Sequence, residues 1–212
     1  MRLVARAIAK LLAGFTRLLT GLQARWLGCA PKDVRRVYFA NHSSHADFAV
    51  IWASLPPPIR AKTRPVAGSD YWQAGALRSW IIRKVLNGVL VDRNRKDPVE
   101  HDSIDPLVAA LDAGDSLILF PEGTRNNTDE GLLPFKSGLF HLASRRPGTE
   151  LVPVWTDNPG RVLPKGSSIP VPVLCKVTFG TPIRIIPGEE KAAFIGRARQ
   201  ALNQLAAAAC LE

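Results

Sequence analysis

A chain of 212 residues is long enough for one domain with a sizeable core and a small appendage, and 46% apolar with 22% charged residues is ordinary for a globular protein. No run approaches the ~20 consecutive apolar residues of a bilayer-spanning helix. Cys29, Cys175 and Cys210 lie far apart and outside metal-ligand spacing, which argues for a reducing compartment and against a disulfide framework. The formal charge of +10 is the unusual quantity; it calls for an anionic partner, be it nucleic acid, an acidic membrane surface or an acidic substrate carrier.

Residues 2–27 read as an amphipathic helix. Val4, Ile8, Leu11, Leu12, Phe15, Leu18, Leu19, Leu22 and Trp26 recur at spacings of three and four and fall within about 120° of a helical wheel. Arg2, Arg6, Lys10 and Arg17 gather on the other side. Those cations interrupt what a signal peptide keeps apolar. The pattern matches a helix lying in a membrane interface, cations near lipid phosphates. Its rival is a helix packed on the core with its basic side in water. Arg25, Lys32, Arg35 and Arg36 extend the charge, and no nucleic-acid motif accompanies it, which sets nucleic acid aside.

From there the apolar runs alternate in type. Val34 to Ala40 reads as a strand, Phe48 to Leu55 as a helix, and Pro56-Pro57-Pro58 as a breaker. A short strand at Pro65 to Gly68 leads to a helix over Trp72 to Leu86, then a strand from Gly88 to Arg93. Asp97 to Ala113 reads as a helix closed by Gly114, and Ser116 to Phe120 as a strand. A helix over Phe135 to Arg145 and a strand over Leu151 to Trp155 follow; Pro153 suggests an edge or a bulge there. Val171 to Phe179 and Pro182 to Ile186 read as strands, and an Ala-rich helix closes the chain from about Gly188 to Ala209. The alternation predicts an α/β fold with a largely parallel or mixed central sheet flanked by helices. It occupies residues 28–212, after the N-terminal amphipathic helix of residues 1–27.

Two polar blocks sit where predicted strands end. The first is Asn41-His42-Ser43-Ser44-His45-Ala46-Asp47. On a regular helix His42 and Asp47 would point about 140° apart. They meet only if the chain turns between them, with Ser43 or Ser44 as helix cap. Asp47 could then hold one imidazole nitrogen and leave the other free to take a proton from an alcohol. The second block is Phe120-Pro121-Glu122-Gly123-Thr124-Arg125. Strand C-termini are where an open α/β sheet places its site.

These blocks, with Gly88 to Arg93 and Val152-Pro153-Val154, resemble the four motifs of the glycerolipid acyltransferases, the 1-acylglycerol-3-phosphate O-acyltransferases above all. The resemblance spans roughly residues 34 to 186. Leu90-Val91 departs from the bulkier Phe-Ile usual in the second motif. The resemblance implies transfer of a fatty acyl group from a thioester, acyl-CoA or acyl carrier protein, to the free hydroxyl of a lysophospholipid. The acceptor is 1-acylglycerol-3-phosphate or another lyso-lipid. His42 would be the general base, steadied by Asp47, with no covalent acyl-enzyme, metal or cofactor.

Arg93 and Arg125 would clamp the acceptor phosphate with forked contacts. Gly123 would allow close approach, Thr124 would add a donor, and Glu122 would orient an arginine or the glycerol hydroxyl. Lys136 would add positive potential. His45 is left out of the mechanism, and His101 and His141 read as ordinary helix residues. The expected place is the cytoplasmic face of a membrane, peripheral or monotopic. Rival readings are a non-catalytic lipid-surface module and a metal-dependent hydrolase with His42, His45 and Asp47 as ligands.

Overall fold

In a computed structural model, residues 2–44, 46–72, 75–92, 100–126, 128, 131–157 and 173–210 are described. Among them seven strands form one sheet: β1 (Gln23–Trp26), β2 (Arg36–Ala40), β3 (Thr63–Gly68), β4 (Val89–Val91), β5 (Ser116–Leu119), β6 (Glu150–Asp157) and β7 (Lys176–Phe179). Their spatial order is β1-β7-β6-β2-β5-β3-β4. Neighbours are parallel except β6 and β7, so the sheet is mixed. The helices are α1 (Arg2–Thr20), α2 (Asp47–Ser54), α3 (Pro57–Ala61), α4 (Ser69–Trp72), α5 (Ala76–Trp80), α6 (Glu100–Asp112), α7 (Gly138–Arg145) and α8 (Lys191–Cys210).

β2 shows why the sheet is buried on both faces. Its five residues are all buried, and strand periodicity sends Tyr38 and Ala40 to one side, Val37 and Phe39 to the other. Tyr38 and Ala40 pack with Val50, Ile51 and Ala53 of α2 and with Ala13 of α1. Val37 and Phe39 pack with Leu107 and Leu111 of α6, Leu139 and Leu142 of α7 and Phe194 of α8. Each such large apolar side chain contributes about 1.5–3 kcal/mol on leaving water.

The first helix is shorter than its periodicity suggests. It ends at Thr20, not at residue 27. Gly21 adopts φ +47°, and the Leu22 N–H reaches back to the Arg17 carbonyl at 3.3 Å, the closure of a glycine-stopped helix. Leu22 and Trp26 keep the helical phase by coincidence. Residues 23–26 instead form the edge strand beside β7, where Trp26 stacks on Phe179 at 3.9 Å.

α1 has three faces. One packs on α2 and buries Ala13, Thr16 and Thr20, with Arg17 Nε donating to the Ala53 carbonyl at 2.8 Å. A second carries Arg6, Lys10 and the stem of Arg17. The third leaves Leu3, Val4, Leu11, Phe15 and Leu18 in water, Leu18 at 85% exposure.

The expected helix over Trp72 to Leu86 arrives in pieces: α4, then α5, whose last turn widens into a π-helical turn over Ile81–Val85. Pro153 lies inside an interior strand, so it does not mark an edge. The strain falls on its neighbour. Between the pairs Val154/Phe179 and Leu151/Ile183, two residues of β6 face three, Gly180 to Pro182, a bulge opposite the proline. The expected strand over Pro182 to Ile186 contributes only that bridge at Ile183.

Candidate active site

β2 and β5 are adjacent and parallel, so the two polar blocks that follow them emerge side by side at the C-terminal edge of the sheet. The chain leaves β2 at Asn41, whose carboxamide takes over the pairing with β6. Asn41 Oδ1 accepts from Thr156 N at 2.9 Å, and Nδ2 donates to the Thr156 carbonyl at 3.1 Å. His42 is then held on both sides. Its N–H donates to Glu122 Oε1 at 2.9 Å, and its carbonyl accepts from Asn126 N at 2.7 Å.

The turn that brings His42 to Asp47 is built by Asp47 itself. Oδ2 accepts the Ser43 N–H at 2.7 Å and the Ser44 N–H at 2.9 Å, and lies 2.8 Å from His42 Nδ1. Asp47 is fully buried as the first residue of α2. The serine cap expected there is absent. The residue before α2 is Ala46, without a side-chain cap, and the Ser44 hydroxyl accepts the Ala46 N–H instead. A carboxylate only accepts, so this contact favours the neutral tautomer in which Nδ1 donates to Oδ2 and Nε2 carries the lone pair. The imidazole stacks on Phe120 at 4.2 Å, which fixes its plane.

Glu122 departs from its expected role. It is buried, and its oxygens accept backbone N–H groups of His42 and, at 3.0 Å, of Leu133. Among the described residues its hydrogen bonds go to backbone and none goes to an arginine. Burial pushes its carboxyl above the usual range, the two amide donors offset part of that, and the Asp47 charge adds to it.

Gly123 stands at φ +69°, a backbone conformation that strains any side chain, and the end of the Lys136 side chain lies 2.7 Å from where a Cβ would stand. Lys136 is tied to the same turn by its N–H on the Pro121 carbonyl at 2.8 Å. Thr124 and Arg125 are exposed on the turn, next to Asn126, which grips His42. Arg93 and His45 lie outside the described residues. Of the three ligands a metal hydrolase would use, His42 and Asp47 are therefore turned on each other.

His42, Phe120, Gly123 and Lys136 border a cavity of about 270 Å³ whose inner wall is apolar, with Val66, Ile104, Leu107 and Leu139. His141 and Asp92 line it as well. Nothing in the helical spacing of His141 sets it apart, and Asn41 and Phe120 gave no signal beyond their place in the motifs. Cys175, buried and pushed up to about 11 by desolvation with the Asp47 and Asp157 charges nearby, is a thiol at neutral pH and no nucleophile.

A sequence profile of the family described as Acyltransferase matches residues 28–157. The 1-acyl-sn-glycerol-3-phosphate acyltransferase of Salmonella typhimurium is 32% identical over 129 residues, 58% of this chain and 46% of that protein. The one from Haemophilus influenzae is 28% identical over 157 residues, 63% of this chain and 59% of that protein. The chain thus spans about half the length of these curated relatives. In fold it matches the crystal structure of the 1-acyl-sn-glycerophosphate (LPA) acyltransferase PlsC from Thermotoga maritima, with a TM-score of 0.71 and 21% identity, over 95% of this chain and 79% of that one.

Proposed function

The chain belongs to the acyltransferase family, and from that footing we propose that it moves a fatty acyl group from an acyl thioester to the free hydroxyl of 1-acylglycerol-3-phosphate, giving phosphatidate. The observation that carries this reading is the 2.8 Å contact of His42 Nδ1 with Asp47 beside a cavity that His42 itself borders. An alcohol ionises far above neutral pH, so it attacks a thioester slowly unless a base takes its proton as the bond forms. His42 Nε2 takes that proton; the oxygen bonds to the thioester carbonyl carbon. Collapse of the tetrahedral intermediate breaks the C–S bond, and the imidazolium returns the proton to the departing thiolate. The apolar lining suits a hydrocarbon chain, and Lys136, which borders the cavity, supplies positive charge; Arg125, exposed two residues after Gly123, is assigned to the acceptor phosphate by the motif it belongs to.

The test is a panel of lyso-lipid acceptors with acyl-CoA and acyl carrier protein donors, read by product mass. Phosphatidate from lysophosphatidate is the expected product. Absence of acyl transfer to any lyso-lipid with either donor overturns the proposal. Within that panel Arg125→Ala should raise KM for lysophosphatidate about tenfold, the value of a lost charged hydrogen bond, with little change for an acceptor lacking the phosphate. An equal effect on both acceptors would remove Arg125 from phosphate recognition.

No helix among the described residues is long and apolar enough to cross a membrane. The exposed apolar face of α1, flanked by cations, is read as lying on an anionic membrane surface on the cytoplasmic side, where the single-chain acceptor resides. Deleting residues 1–27 would not test this, because it also removes β1. Leu11→Asp with Phe15→Asp leaves the packed face untouched. That pair should lower affinity for anionic vesicles by at least tenfold, read by flotation. Undiminished flotation would place the lipid contact elsewhere.

A further inference from the structure

The basic excess of this protein is not spread over it. Residues 1–32 hold six basic residues and no acidic one, and residues 71–91 hold three and none. The rest of the chain holds 19 basic and 18 acidic residues. Among the described residues, the same two stretches also carry most of the large apolar side chains left in water. Five are on α1; in the second stretch they are Leu77, 70% exposed, and Trp80, 36% exposed, both on α5.

α5 is an element without a face in the core. None of its residues is buried. The π-helical turn that continues it, by contrast, buries Ile82 and Val85 and lies against α1. α5 is therefore anchored at one end, next to α1, and projects its body outward. Leu77 and Trp80 are three residues apart and share one side of the helix. Arg78 lies between them in sequence, and Arg83 and Lys84 follow on the next turn. A five-residue helix is too short to hold itself together in water, and an exposed leucine–tryptophan pair on it gains nothing from solvent.

We propose that α5 is a second membrane contact, set off the axis of α1, and that the two elements together dock the protein on an anionic bilayer in one orientation. This rests on the reading of α1 as lipid-facing. A single helix lying in an interface leaves the attached body free to roll about its axis. A second contact to one side removes that freedom and fixes the height and tilt of the cavity above the lipid. The charge chooses the occupant. Arg6, Lys10 and Arg17 on α1, with Arg78, Arg83 and Lys84 on α5 and the turn after it, in elements without a carboxylate, suit lipid phosphates, whereas a second copy docked on the same surface would set cations against cations. Trp80 is the side chain type that settles at headgroup depth, and the neighbouring cations reach the phosphates.

The test uses the full chain and equimolar phosphatidylcholine–phosphatidylglycerol vesicles, with and without brominated acyl chains. Bromine should quench part of the tryptophan emission, and that part should vanish in Trp80→Phe. Leu77→Glu should weaken vesicle affinity about tenfold while leaving turnover of a water-dispersed acceptor unchanged. A quenched fraction that is the same with and without Trp80 overturns the proposal. So does a lipid-free dimer that sedimentation detects and Leu77→Glu dissolves, since α5 would then face another copy. The α1 pair Leu11→Asp and Phe15→Asp is measured alongside. If that pair leaves binding intact, the α1 reading fails, while Trp80 quenching still decides the role of α5 independently.

Discussion

Replacing His42 with alanine should lower acyl transfer by about 10²–10⁴-fold, the range a positioned general base contributes. The loss should appear in kcat, with KM for both substrates nearly unchanged, because the imidazole acts on a proton in flight and not on the bound lipid. Folding should survive. The backbone of residue 42 keeps its bonds to Glu122 and Asn126, and Asp47 keeps the amides of Ser43 and Ser44. The cost is the stack on Phe120 and some cavity lining. Release of free thiol from the donor, followed with a thiol reagent, gives the rate, and a thermal melt gives the stability. Wild-type turnover in a folded His42→Ala protein would dispose of the base assignment.

Asp47 should behave differently, since one carboxylate serves both the turn and the imidazole. Asp47→Ala strands the part-buried N–H of Ser43 and the buried N–H of Ser44 and should cost about 2–5 kcal/mol of stability along with nearly all activity. Asp47→Asn separates the two roles. Its carbonyl oxygen can still accept from the turn, but an amide does not stabilise an imidazolium and can favour the wrong tautomer. That variant should remain folded and lose about 10³–10⁴-fold in rate, on the scale known for other His–Asp pairs. Urea titration beside the thiol-release assay measures both. An Asp47→Ala protein as stable as wild type would mean that the carboxylate does not hold the turn.

The contrast between these two residues shows what a linear sequence can convey. That His42 and Asp47 meet is legible from spacing and the strand-to-helix switch around them. How they meet is not. The serine hydroxyls looked like the capping groups, whereas the turn is closed by their backbone amides on Asp47. Glu122 is the harder case. Its partners are the N–H groups of residues 80 positions before it and 11 after it, and no local pattern encodes such a bond. The ends of β2, β5 and β6 and the mixed α/β order were readable because these central strands are largely buried and so appear as short apolar runs. The end of α1 was misread because Leu22 and Trp26 satisfy helix and strand periodicity alike; one glycine at positive φ decides between them.

The placement of β1 has a consequence for how the protein is made. This strand is made before the other six, yet its hydrogen-bonding partner β7 comes last in sequence among the described strands. The edge therefore closes only after the strands between them have been made, and loop closure over so much chain is slow. Throughout that interval α1 is tethered to an unpaired segment and has both its core-facing and its outward apolar sides available. A nascent chain in that state can meet lipid before its sheet is complete.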